Sequence, residues 1–140
     1  MIFAVMHNDV PELAKLMEID AGVSFDAGDL GSWARGLDKI GELMKSRAER
    51  VYVLPGNHES ASDIAEFCGR FGFVDFHGAT AEIGGVRFAG LGYSTVTPFD
   101  TPGEYGEDEL AERLEKFVAW KPQWLGCPST PCGTPLGRIR

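Results

Sequence analysis

Val51-Tyr52-Val53-Leu54-Pro55-Gly56-Asn57-His58-Glu59 decides how the rest of the chain is read. Val51 to Leu54 form a short apolar run with β-branched members, the composition of a buried strand. Pro55 ends it, because proline cannot donate to a sheet ladder, and Gly56 permits a sharp turn. Asn57, His58 and Glu59 therefore arrive at a strand end. In an open parallel sheet that is where ligands bind, since the strand-to-helix loops gather there.

The chain on either side repeats this rhythm. Ile2 to Met6 reads as a first buried strand and leads into His7, Asn8 and Asp9. Pro11 then opens a helix with Leu13, Leu16, Met17 and Ile19 on one face, and Asp9 or Val10 is its cap region. Val23 to Ala27 is a second strand closed by Gly28 and Asp29. Trp33, Leu37, Ile40 and Met44 mark one face of the next helix, in which Gly36 and Gly41 are weak spots. Beyond the quoted stretch, Ser60 or Ser62 can cap a helix carrying Ile64, Phe67 and Cys68, and Phe71 to Phe76 reads as a strand. Alternating strands and helices predict βαβ units and a largely parallel sheet.

Thr80 to Ile83 and Val86 to Leu91 flank Gly84-Gly85, a hairpin signal at which pairing turns antiparallel. Thr95 to Gly106 is rich in Pro, Gly and Thr, longer than most connections, and so a candidate functional loop. Glu107 to Trp120 is an amphipathic helix with Leu110, Leu114, Phe117 and Val118 inward. The acidic run from Glu104 to Glu115 reads as its solvated start. A short strand around Trp124 precedes residues 126–140, whose prolines and glycines predict irregular structure. No repeat or linker divides the chain, so residues 1–140 are expected to form a single domain.

Composition narrows the functional classes. The 140 residues carry 13 basic and 21 acidic side chains, a formal charge of 13 − 21 = −8. A hydrophobic fraction of 44% excludes a disordered acidic tail and predicts a packed core. The negative balance argues against a nucleic-acid partner held through phosphates, which requires clustered Lys and Arg. No window approaches the ~18 apolar residues of a membrane span, and Met1 to Met6 lacks the basic start of a secretory signal. A cytoplasmic location without membrane association is the expectation. Cys68, Cys127 and Cys132 are an odd set with no zinc-ribbon spacing, which favours free thiols over a disulfide framework or a structural metal.

Three strand ends thus carry groups able to bind metal: His7 with Asn8 and Asp9, then Asp29, then Asn57 with His58. Carboxylate, imidazole and amide oxygen together suit divalent Mn, Fe, Zn or Mg rather than thiolate-seeking metals. A pair of such ions about 4 Å apart can clamp a phosphoryl group and activate a water, which points to a phosphate ester as substrate.

With those residues in view, the stretch ending Gly56-Asn57-His58-Glu59 resembles the third motif of the calcineurin-like metallophosphoesterases, Gly-Asn-His-Glu or Gly-Asn-His-Asp after an apolar strand. Phe25-Asp26-Ala27-Gly28-Asp29-Leu30 resembles their second motif, a Gly-Asp pair one crossover earlier. Ile83 to Gly92 is similar to the family's Ile-Gly-Gly hairpin. The resemblance implies a metallophosphoesterase-like α/β sandwich in which two mixed sheets pack between helices. It also implies metal-dependent hydrolysis of a phosphate mono- or diester, with a small phosphate ester or phosphorylated molecule as substrate. Asp29 would bridge two metals and Asn57 would ligate the second. His58 would act as general acid to the leaving alkoxide or clamp the phosphate, tasks suited to imidazole.

Departures from the pattern are equally specific. The first motif, Asp-x-His, is either reduced to His7 with its aspartate deleted, or present as a swapped His7 and Asp9 pair. Either way an anionic ligand is missing or misplaced, and Asp9 also reads as a helix cap. Pro128 stands where the fourth motif has histidine, and the final Gly-His-x-His would lie beyond Arg140, which predicts a C-terminally truncated domain. His7, Asp29 and Asn57 are the metal ligands that can be placed. Three readings therefore compete: a working hydrolase, a catalytically impaired remnant acting as a binding or assembly module, and, more weakly, a single-metal or metal-free nucleotide-binding protein. A truncated sheet edge would also favour a homodimer. Asp29 has its own competing role as a helix cap, His7 as a polar residue at a strand end, and His77 reads as a turn residue.

Overall fold

The computed structural model describes residues 1–4 and 6–128. Strand and helix alternate through β1 (Ile2–Phe3), α1 (Val10–Glu18), β2 (Ser24–Asp26), α2 (Leu37–Met44), β3 (Val51–Val53), α3 (Ala61–Phe71) and β4 (Val74–Asp75). The strands pair in parallel, in the order of the chain. Crossovers of this kind are right-handed, so successive steps in one direction deliver α1, α2 and α3 to the same face of the sheet. Val51 and Val53 point to that face and are fully buried with Leu13, Ile40, Met44 and Ile64. Burial stabilises by about 1.5–3 kcal/mol for each such side chain.

The opposite face of the sheet must be covered by something other than its own helices. A second sheet does this, with β5 (Ala79–Ile83), β6 (Val86–Gly90) and β9 (Trp124–Gly126) in the order β5-β6-β9. Phe25, Tyr52, Leu54 and Phe76 meet Ile83, Phe88 and Trp124 in this layer. The Phe25 ring stacks on Phe88 at 4.9 Å between centroids. Gly84 and Gly85 turn the β5–β6 hairpin at φ +58° and +78°, the left-handed pair a two-residue turn requires. On the outer side α4 (Glu107–Glu115) lays Leu110 against Ala89 and Leu91, with Phe117 beside it. The layers therefore run helices, parallel sheet, second sheet, helix.

Several elements differ from the sequence expectation for identifiable reasons. β1 and β2 are shorter than Ile2 to Met6 and Val23 to Ala27, because the chain turns toward the strand-end loops. The second helix starts at Leu37, not at Trp33, since Trp33, Ala34 and Gly36 have φ of +55°, +53° and +79°. Trp33 is left half exposed outside the helix. Ser60, not Ser62, caps α3 in a reciprocal box with Asp63. α3 continues through Phe71 to a left-handed Gly72, which leaves only Val74–Asp75 for the strand expected from Phe71. α4 ends at Glu115, and a 3₁₀ turn over Val118–Trp120 rotates Val118 outward to 68% exposure. β9 reaches Gly126, one residue into the stretch expected to be irregular. Its pairing with β6 is parallel, whereas the hairpin signal predicts antiparallel pairing alone in this part of the chain.

The loop expected over Thr95 to Gly106 contains β8 (Glu104–Tyr105), which pairs in parallel with β7 (Ser94–Thr95). Cys68 is a core residue, as its helical position predicts, and burial pushes its thiol up to about 12. Cys132 and the fourth-motif residues after Pro128 lie outside the described residues. No helix among the described residues is long and apolar enough to cross a membrane.

Candidate functional site

Parallel pairing brings the C-terminal ends of β1, β2 and β3 side by side, and the loops leaving them interlock. Gly28 lies so close to the next loop that an added Cβ would sit 2.7 Å from Gly56 Cα. A Cβ on Gly56 would overlap Asp29 Oδ1. Glycine at both positions is thus a condition of contact between the loops.

Glu59 and Asp29 reach across that contact in opposite directions. Glu59 Oε2 accepts the N–H of Asp29 at 3.2 Å and of Gly56 at 3.1 Å, and Oε1 accepts the N–H of Gly31 at 2.8 Å. Asp29 Oδ1 in turn accepts the N–H of His58 at 3.2 Å. Each loop therefore supplies a carboxylate that satisfies backbone donors of the other. Glu59 is completely enclosed. Burial pushes its carboxyl up to about 7, against the downward pull of the Gly31 and Gly56 N–H groups. The sequence alone gives Glu59 no role beyond closing the motif. The clue is an acidic residue among turn glycines, whose donors need an acceptor when buried.

Asp26, at the end of β2, is also fully buried, with Oδ1 accepting the Gly28 N–H at 3.3 Å and Oδ2 unpartnered among the described residues. Desolvation raises its pKa well above the usual carboxylate range, and the neighbouring Glu59 raises it further.

The loop after β1 joins through its backbone. His7 N–H donates to Asp29 O at 2.9 Å and Asn8 N–H to Leu30 O at 3.0 Å. His7 and Asn8 both adopt left-handed φ, +41° and +65°. The His7 ring meets the His58 ring edge to face at 5.0 Å, and Trp33 approaches His58 from another side at 5.7 Å. His58 Nδ1 is buried without a partner among the described residues, so the fold does not consume this ring. Asp9 caps α1 by accepting the Glu12 N–H at 3.1 Å, the competing role weighed for it.

Asn57 is held from the far side by the loop after β7. Its Nδ2 donates to Thr101 Oγ1 at 3.1 Å, and its carbonyl accepts the Gly103 N–H at 3.1 Å. His77, read as a turn residue, is more than that: its Nδ1 accepts the Gly92 N–H at 3.1 Å, and Nε2 lies 3.1 Å from the Tyr105 hydroxyl. Burial lowers its pKa.

His7, Asp29, Asn57 and His58 thus lie on neighbouring, mutually bonded loops. Their donors fit one divalent cation in kind: an imidazole, a carboxylate with one oxygen already engaged, and an amide oxygen. No group of three His, Cys, Asp or Glu side chains able to hold a metal ion occurs among the described residues, so a site for even one cation would depend on the Asn57 amide as a ligand. A depression of about 160 Å³ between α2 and α3, lined by Leu37, Asp38, Phe67 and Arg70, contains none of these side chains.

A solved 5'-nucleotidase precursor from Thermus thermophilus superposes on 86% of this chain with a TM-score of 0.50 and 16% identity, matching 30% of that structure. The fold is a metallophosphoesterase-like α/β sandwich. An uncharacterised protein of Methanocaldococcus jannaschii, MJ1162, is 29% identical over 114 residues, 81% of this chain. The chain spans about half, 51%, of that relative's length. No protein-family model matches the sequence. At these identities the metallophosphoesterase-like sandwich is a statement of architecture, and the chemistry rests on the site.

Proposed function

We propose that this chain hydrolyses a phosphate mono- or diester with the help of a divalent cation held by His7, Asp29 and Asn57, with His58 as the general acid. The observation supporting this most directly is the reciprocal Asp29 and Glu59 latch, which joins two strand ends while leaving the His58 ring uncommitted. When bound, the cation supplies positive charge for the phosphate group and lowers the pKa of a water. The need for such charge is plain in a chain whose net charge is −8.

The protein's own groups perform the remaining tasks. Glu59 fixes the Gly56 turn, so that Asn57 and His58 are presented together from the end of β3. His58 Nδ1 is enclosed, which leaves Nε2 to deliver a proton to the departing alkoxide. The His7 and Trp33 rings flank His58 and limit the orientations its imidazole can take.

Loading with manganese, followed by metal analysis and turnover of a generic aryl phosphate, tests the reading. Bound metal with turnover is expected. His58→Ala should then lower kcat by about 10²–10⁴-fold, the range of a lost general acid. Asp29→Asn should remove bound manganese. Unchanged rates in both variants would show that the activity belongs elsewhere.

A second reading, an impaired remnant serving as a binding module, is favoured by the single engaged carboxylate in the donor set and by Pro128 in place of a histidine. Folded protein with neither bound manganese nor turnover would select it.

A further inference from the structure

The loop over residues 95–106 is organised by a charge that has no part in the strand-end latch. Glu104 accepts the N–H of Thr97 at 3.1 Å and of Thr101 at 3.0 Å, and also both threonine hydroxyls. With these donors around it the Glu104 carboxylate stays ionised, and an ionised carboxylate can only accept. The Thr101 hydroxyl proton is therefore directed at Glu104. What Thr101 Oγ1 can offer Asn57 is a lone pair, and only the NH₂ half of the Asn57 amide can meet a lone pair. The 3.1 Å contact from Asn57 Nδ2 is the one orientation consistent with this chain of donors. The two ends of an asparagine amide are nearly identical in shape, so nothing steric would otherwise distinguish them.

We propose that Glu104 and Thr101 are positioning residues which fix the Asn57 amide so that Oδ1, rather than Nδ2, is presented at the strand-end site as a cation ligand. The assignment rests on the reading above, in which Asn57 binds the metal. A flipped amide would turn N–H groups toward a cation and repel it. Thr101 is 7% exposed, so water does not compete for its hydroxyl. The Gly103 N–H holds the Asn57 carbonyl from the same loop. Backbone and side chain of Asn57 are thus both held by the loop that Glu104 organises.

Groups that orient a ligand in this way typically change metal affinity by about 10–100-fold when removed. The test measures manganese binding to the full chain by calorimetry, together with solvent exchange of the Asn57 side-chain NH₂ protons by NMR in metal-free protein. Thr101→Val should weaken manganese binding by about 10–100-fold and speed exchange of those protons, whereas Thr101→Ser should restore both. Glu104→Gln gives the same expectation by another route, because its amide can face the Thr101 oxygen and turn the hydroxyl proton toward Asn57. It serves where Thr101→Val does not fold. Wild-type protein that binds no manganese would overturn the functional reading and this assignment with it. Wild-type binding left unchanged by both Thr101→Val and Glu104→Gln would overturn the assignment alone.

Discussion

The loops after β2 and β3 hold each other through side-chain carboxylates, whereas the hydrogen bonds that tie in the loop after β1 come from its backbone N–H groups, with the His7 ring packed on His58. In the first case each acidic residue satisfies donors that burial would otherwise strand, so sequence and geometry depend on one another. In the second, His7 and Asn8 occupy left-handed backbone with no carboxylate from their own loop facing the site. Asn8 Oδ1 is buried and unpartnered among the described residues. The same strand-end architecture can therefore persist without a side-chain latch, because backbone hydrogen bonds preserve a loop without specifying its side chains.

The sharpest way to break the intact region is Gly56→Ala. Its Cβ would overlap Asp29 Oδ1 and crowd the Asp29 backbone, so the two loops must separate. A loss of about 3 kcal/mol or more in urea unfolding, with loss of manganese binding, is expected. Gly69→Ala is the internal contrast: nothing lies within 4 Å of its added Cβ, and it sits inside α3. There alanine should stabilise by about 0.5–1 kcal/mol. Equal destabilisation at both positions would show that loop contact is not what Gly56 protects.

Glu59→Gln comes next in size. It places an NH₂ among backbone donors and strands at least one of them, at a cost of about 1–3 kcal/mol. The same residue sets a pH dependence whose sign follows from its upward shift, from an ordinary 4.5 to about 7. Between those values the native state retains a proton that the unfolded chain has released, so stability falls as pH rises through this window and levels off above it. Asp26, whose carboxyl pKa burial also raises, adds to this fall, and His77, whose pKa burial lowers from 6.5, offsets part of it. The drop in the urea midpoint of metal-free protein from about pH 5 to about pH 8 should therefore be smaller in Glu59→Gln than in the wild type. A midpoint that rises over this window would contradict the buried, proton-retaining state.

The unequal loops also explain what the sequence could disclose. The run from Val51 to Glu59 is readable as a strand and its polar terminus, because a buried strand and its proline stop are local properties. Gly56 and Gly28 are readable as turns, but not as the point where two loops touch, which is set by parallel pairing of residues far apart in the chain. Glu104 illustrates the limit better. Its local surroundings read as an acidic helix start, whereas its partners are Thr97 and Thr101, reached by a fold-back that no periodicity announces. Hydrogen bonding with those threonines holds its carboxyl down at about 2. Trp33 misleads in the opposite direction: its spacing from Leu37 suits a helix face, but left-handed residues intervene and expose it.

Asn8→Gly is the gentlest perturbation and the most informative about the weaker loop. Asn8 has φ of +65°, which glycine adopts without a Cβ penalty, and its Oδ1 lies 2.5 Å from where a Cβ on Gly36 would be. Removing the side chain eliminates an unpartnered buried acceptor, worth about 1–3 kcal/mol, while the freer unfolded chain returns about 0.4–1 kcal/mol of that gain. A net stabilisation of roughly 1 kcal/mol is expected in urea unfolding, with manganese affinity unchanged. A tenfold loss of affinity would instead make Asn8 Oδ1 a second ligand from the β1 loop beside His7. Affinity stays constant in the first case and falls in the second, so one variant measured both ways decides whether the Asn8 side chain belongs to the metal site.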